Sequence, residues 1–342
     1  MPAFRRLFFG SAERNSRRDR RGRPALMAAL CSVALGTRGA CQGEVDEPTR
    51  SRASQSAASA PASATPQPPR SSATPQPARS QPATPRDDAL GALPAVPTRR
   101  SPATLADQIE SVEGVVGDPD APNRDVRRAG EFAQLAARLL ATAPERFRSD
   151  VLTRLPPKTR AKTRLDVEAA SLLDAMTSPQ RRLPEWRIVA PPPAQELLGH
   201  YRFAARRIGV PWTYLAAIHL VETRMGRIRG VSSAGAQGPM QFLPTTWDLY
   251  GAGGDINDPR DAILAAARLL RANGAPQDMA GAVWHYNPSD NYVGAVTRYA
   301  EAMRDSTVAY RGYWHWRVLF KHVRGTFVLE RGYPQVPARL LG

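Results

Sequence analysis

The sequence predicts a mainly α-helical protein with a disordered N-terminal linker and a short β-hairpin near its end. Three observations carry that expectation. Between about residues 105 and 305, apolar residues recur at three- and four-residue spacing, the period of a helix that buries one face. The runs are punctuated by helix starts and stops, as in "NDPRDAILAAARLLRANG", where Asp258 can cap, Pro259 can take the first position and Gly274 can end the turn. Only "YWHWRVLF" and "GTFVLERGY" alternate instead, rich in aromatic and β-branched residues.

Taken in order, the chain opens with an arginine-rich lead, eight arginines against two acids in residues 1–24. The apolar run "PALMAALCSVALG" and the small residues of "TRGACQGE" follow. This is the layout of a secretory signal over residues 1–41, with an apolar run too short to serve as a stable membrane span. Cys41, after Gly39 and Ala40, resembles the acylated cysteine of a bacterial lipoprotein, although Arg38 stands where such signals take a small or aliphatic residue. The chain is therefore expected to be exported to the periplasm or cell envelope, with Cys41 the candidate lipid anchor to a membrane. Cys31 is the only other cysteine, so no disulfide or thiolate–metal chemistry is available beyond residue 41.

Residues 42–104 are dominated by Ser, Ala, Pro, Thr, Gln and Arg, with "ATPQP" repeated. They hold too little apolar surface to offset their ordering entropy and read as a disordered tether. An accessory helical region is expected over 105–190. "DVRRAGEFAQLAARLLA" sets Val126, Phe132, Leu135 and Leu139 near one face, "APERFRSDVLTRLPP" is a shorter helix stopped by Pro156-Pro157, and "LDVEAASLLDAM" is a third. "APPPAQ" at 190–195 marks a boundary, and residues 191–305 read as a compact helical domain. Residues 306–342 read as a basic, aromatic extension containing the hairpin.

The formal net charge of +16 is uneven. Residues 195–305 carry eleven basic against ten acidic residues, whereas 306–342 carry six against one. A near-neutral folded domain argues against nucleic acid as a partner, since that needs a basic stripe on the domain itself.

One helix raises a chemical question. "VPWTYLAAIHLVETRMG" can start at Pro211 and close at Gly226, with Leu215, Ile218 and Met225 along one apolar stripe. Glu222 falls inside that stripe. A desolvated carboxyl there has a raised pKa and stays protonated more often. The loop that follows, with Gly226, Gly230, Gly235 and Gly238, allows close backbone approach but lacks the Lys-Ser/Thr pair of a phosphate loop. Gln241, Trp247, Trp284, Tyr286 and Asn287 then offer the flat and polar side chains that a sugar-binding cleft needs. His219 and Glu222 do not match a zinc motif, no G-x-S-x-G is present, and no metal or cofactor is implied.

The ordered segments "ETRMG", "SSAGAQGPMQFLPTTW" and "WHYN" resemble the SLT-type lytic transglycosylases, which share the goose-type lysozyme fold. The likeness covers about residues 195–305, with Pro239 where Leu is usual and His285 where Ala is usual. It implies a lysozyme-like helical domain acting on peptidoglycan glycan strands, cut between MurNAc and GlcNAc, most simply as a monomer. It assigns Glu222 as the catalytic acid and then base, closing a 1,6-anhydro ring. Thr223 would steady Glu222, Gln241, Tyr286 and Asn287 would hold sugar or developing charge, and Met240 would line the cleft. A hydrolytic muramidase of the same fold, in which Asp255 could serve as base, and a non-catalytic peptidoglycan-binding protein are the alternatives. Acid catalysis by Glu222 requires a raised pKa. At the ordinary value of about 4.3 roughly one carboxyl in 500 is protonated at pH 7, against about one in ten at a pKa of about 6.

Overall fold

A computed structural model of the chain describes residue 90, residues 93–304 and residues 306–341. The signal sequence, Cys41 and most of the expected linker lie outside the described residues. Among these residues the protein is mainly helical, with eleven helices and five short strands, and no helix is long and apolar enough to cross a membrane.

The first helix, α1, is Pro102–Gly117, opened by Ser101, whose side chain accepts from the Thr104 N–H. It starts ahead of the expected linker boundary at 104, and Leu90 is already buried against it in one apolar cluster. Helices α2 (Asn123–Ala141), α3 (Glu145–Arg154) and α4 (Pro157–Ala175) follow. Pro157, expected only to stop α3, also opens α4, because a first-turn proline has no N–H to leave unpaired. Ile109, Val112, Phe132, Leu140 and Val151 bury together in this first layer.

Strand β1 (Arg187–Ile188) leads to α5 (Ala194–Ile208) and α6 (Trp212–Thr223). Strand β2 (Ile228–Arg229) pairs antiparallel with β1. Then come α7 (Pro244–Tyr250), α8 (Pro259–Ala272), α9 (Met279–Tyr286) and α10 (Asp290–Ala302). Asp258 caps α8 as expected, accepting from the Asp261 N–H, and Gly274 lies just beyond it with a positive φ.

The tail departs from its expected form. Residues of "YWHWRVLF" divide between a helix, α11 (Thr307–Trp314), and the strand β3 (Val318–His322). Ser306 caps α11 by accepting from the Val308 N–H. The hairpin itself is present, β3 pairing with β4 (Gly325–Leu329) in the register Val318 to Leu329, and β5 (Arg339–Leu340) adds a third strand.

Residues of the 105–190 helices and of 306–341 pack into the core of the 191–305 unit. Ala169 of α4 and Tyr310, Tyr313 and Trp316 of the tail share one core with Leu215, Ile218 and Leu220 of α6. Gly130 of α2 lies so close to α11 that a Cβ there would stand 2.7 Å from the Gly312 carbonyl oxygen. Gln134 donates to the Arg317 carbonyl and accepts from its N–H, and Lys321 donates to Asp174 Oδ1. The hairpin's Val318, Phe320 and Phe327 bury with Ile188 and Ile228 of the small β1–β2 sheet.

Candidate active site

Helix α6 runs through the centre of the molecule. Its residues Leu215, Ala216, Ala217, Ile218, His219 and Leu220 are all buried, so the apolar surface is no single stripe but encircles the helix. An apolar sequence with small alanines on the remaining faces has no solvent side to present. The helix also ends earlier than expected, at Thr223. Arg224, Met225 and Gly226 all take positive φ, and Arg224, not Gly226, forms the left-handed cap. Pro211 sits at the cap position and not at the first helical one. Met225 is thus off the helix, though still fully buried.

Glu222, in the last turn, is 1% exposed. Burial pushes its carboxyl up to about 8, against the opposing effects of a hydrogen bond from Tyr292 and the charge of Arg224. The Tyr292 hydroxyl donates to Oε1 at 2.5 Å. His219, one turn earlier, is packed: its Nδ1 shares a 2.6 Å hydrogen bond with the Tyr201 hydroxyl, and burial pulls its pKa down to about 3, leaving it neutral. Among the described residues no three His, Cys, Asp or Glu side chains group as a metal site.

Glu222 opens on a cleft of about 130 Å³ whose lining includes Asn287, Arg224, Tyr292, Trp186 and Asp174. Two further cavities adjoin it. One of about 580 Å³ shares Trp186 and Ile228 and runs along Gly230, Gly238 and Asn257. The other, of about 310 Å³, shares Arg138, Ala170, Asp174 and Lys321. The shared residues set the three cavities side by side, with Glu222 on the wall of the first.

Of the five residues expected to bind substrate, Asn287 alone lines this cleft. It is 1% exposed, and neither polar atom of its amide has a hydrogen-bond partner among the described residues. Buried amides are ordinarily satisfied, so this one is set to meet a ligand or water. The other four brace the glycine-rich loop. Gln237 and Phe242 exchange backbone hydrogen bonds of 2.8 and 2.9 Å, closing residues 238–241 into a tight turn. The Thr223 hydroxyl donates to the Pro239 carbonyl at 2.6 Å and accepts from the Gly226 N–H, which pins that turn to the end of α6. The Tyr286 hydroxyl donates to the Met240 carbonyl at 2.6 Å, and Met240 itself lies in the core, off the cleft wall. Gln241, at φ +50, donates from Nε2 to the Gly238 carbonyl. Trp247 packs edge-on against Phe242, and Trp284 is largely exposed against His285; neither lines the cleft.

Several lining residues were not singled out from the sequence. Tyr292 lies five residues beyond Asn287, within the first turn of α10, and its place beside the third motif was the available signal. Arg138, Asp174, Trp186 and Lys321 come from distant segments, and no local pattern marks them. Compared with family models, with curated proteins and with solved structures, the chain matches none.

Proposed function

We propose that this protein is a peptidoglycan lytic transglycosylase of the cell envelope, with a lysozyme-like (goose-type/SLT) catalytic region. The observation that carries the reading is Glu222, a carboxyl buried on the wall of a cleft, where burial raises its pKa. With a pKa of about 8, roughly nine in ten of these carboxyls hold their proton at pH 7. That is the state a general acid needs.

In the proposed reaction Glu222 gives its proton to the glycosidic oxygen of the departing GlcNAc as the bond from MurNAc C1 breaks. The resulting carboxylate then takes the proton of the MurNAc C6 hydroxyl, whose oxygen bonds to C1. The ring closes as a 1,6-anhydro sugar, and Glu222 ends protonated, with no water consumed. An internal nucleophile removes the need for the second carboxylate of the two-acid hydrolases. Tyr292 fits the intermediate stage, since its hydroxyl stabilises the carboxylate while Glu222 is ionised. The unsatisfied amide of Asn287 suits the N-acetyl or hydroxyl groups of a sugar.

A hydrolytic muramidase would need a carboxylate to activate water. Asp255, the residue expected for that task, caps the Asn257 N–H and is not on the cleft wall. Asp174 is on the wall, but its Oδ1 is engaged by Lys321 at 2.8 Å.

The test is digestion of purified peptidoglycan by the full chain and by its Glu222→Gln variant, with the muropeptides weighed. Products lighter by one water than reducing-end muropeptides, absent with the variant, are expected. Hydrated reducing ends would make the protein a lysozyme, and no products from folded protein would leave a binding role.

A further inference from the structure

The groove wall also holds charge that bond cleavage does not use. Arg138, in the last turn of α2, lines both the Glu222 cleft and the cavity next to it. Among the described residues its guanidinium makes no hydrogen bond and no ion pair. It is partly buried, and burial lowers its pKa from the ordinary value, while Asp174 acts on it through space in the opposite sense. Asp174 is already committed to Lys321. The junction of the two cavities therefore holds two cations and one carboxylate, and a protonated Glu222 adds no charge to them.

A planar group with five donors, partly buried on a cavity wall and unspent, is free to receive a ligand there. A carboxylate meets that geometry with two parallel hydrogen bonds. Leu139, Ala170 and Leu173 supply apolar wall around it, which strengthens any charge pairing made there. We propose that Arg138, backed by Lys321, forms a carboxylate-recognition subsite beside the cleavage point. It takes an acidic substituent of the glycan, either a free lactyl carboxylate or a stem-peptide carboxylate. The subsite rests on the proposed function and gives the α2 helix a part in choosing substrate.

The test is co-sedimentation of the full chain carrying Glu222→Gln, which prevents turnover, with and without Arg138→Met or Arg138→Lys. The probes are purified peptidoglycan, glycan strands stripped of peptide, and both after carbodiimide amidation of their carboxylates. Arg138→Met is expected to weaken binding of the carboxylate-bearing glycan about tenfold or more, with Arg138→Lys intermediate. Amidation should weaken binding of the unsubstituted Arg138 protein by a similar factor and abolish the difference between variants. Loss on stripped strands would assign the lactyl group, and loss confined to peptide-bearing material the stem. The amidation arm needs no change at position 138, so it reads the contact even where Arg138→Met fails to fold. Binding indifferent to both amidation and Arg138 would overturn the subsite alone, whereas a parent protein that binds no peptidoglycan would overturn the proposed function with it.

Discussion

Replacing Glu222 by Gln should make the protein more stable, by an amount that depends on pH. The carboxyl ionises near its ordinary 4.5 in the unfolded chain and near 8 in the fold. Between those values the unfolded chain releases a proton that the folded protein keeps, so stability falls as pH rises through that window. Each pH unit costs about 1.4 kcal/mol, which accumulates to roughly 3 kcal/mol at pH 7 and about 5 kcal/mol above pH 8. Glutamine has nearly the same shape, does not titrate, and still offers an oxygen to the Tyr292 hydroxyl. Urea unfolding of both proteins at pH 4, 5.5, 7 and 8.5 measures the difference. The two should match at pH 4 and diverge by several kcal/mol at pH 8.5, the variant being the tougher. Stability curves that stay parallel across that range would show that Glu222 is not held protonated, and the acid role would lose its physical basis.

The same titration governs rate: cleavage should hold up to about pH 8 and fall above it, and a pH profile of kcat/KM that declines from pH 5 instead would contradict the burial argument. Tyr292→Phe removes the hydrogen bond to Oε1, which favours the ionised form, so the alkaline limb should move to higher pH while stability drops by about 1 kcal/mol, read by pH–rate and unfolding curves. Gly238→Ala combines a φ of +74 with a Cβ placed 2.0 Å from the Ile256 carbonyl oxygen. It should cost more than about 2 kcal/mol in urea unfolding, and an unchanged midpoint would mean that the loop has room to shift.

The parts of the fold that local sequence marks are the parts it foretold. Asp258, Asp261 and Gly274 frame α8 because capping is decided by neighbours in the chain. Glu222 was legible as a buried acid for the same reason, lying among apolar residues of its own helix. Helix α11 was not, because Tyr310 and Tyr313 have strand-like propensities that burial against Tyr201, Trp212 and Tyr299 overrides. Residues 224–226 hid the true end of α6, since two non-glycine residues with positive φ precede the expected glycine. Thr223, Gln241 and Tyr286 have polar groups that suit a sugar, yet their partners are backbone atoms of one loop, and composition does not tell which way a hydroxyl is spent. The groove itself was out of reach. Its walls come from α2, α4, α6, α10 and the hairpin, brought together from along the chain.

The hairpin's place in that wall has a temporal side. Glu222 and its three motifs are made well before Trp316, Val318 and Lys321, which line the same cleft. A chain emerging from N- to C-terminus therefore carries the full set of motif residues for a time without that part of the cleft wall. Synthesis of the hairpin delivers it. On the proposed function, the acid is thereby enclosed only after its own motifs have been made.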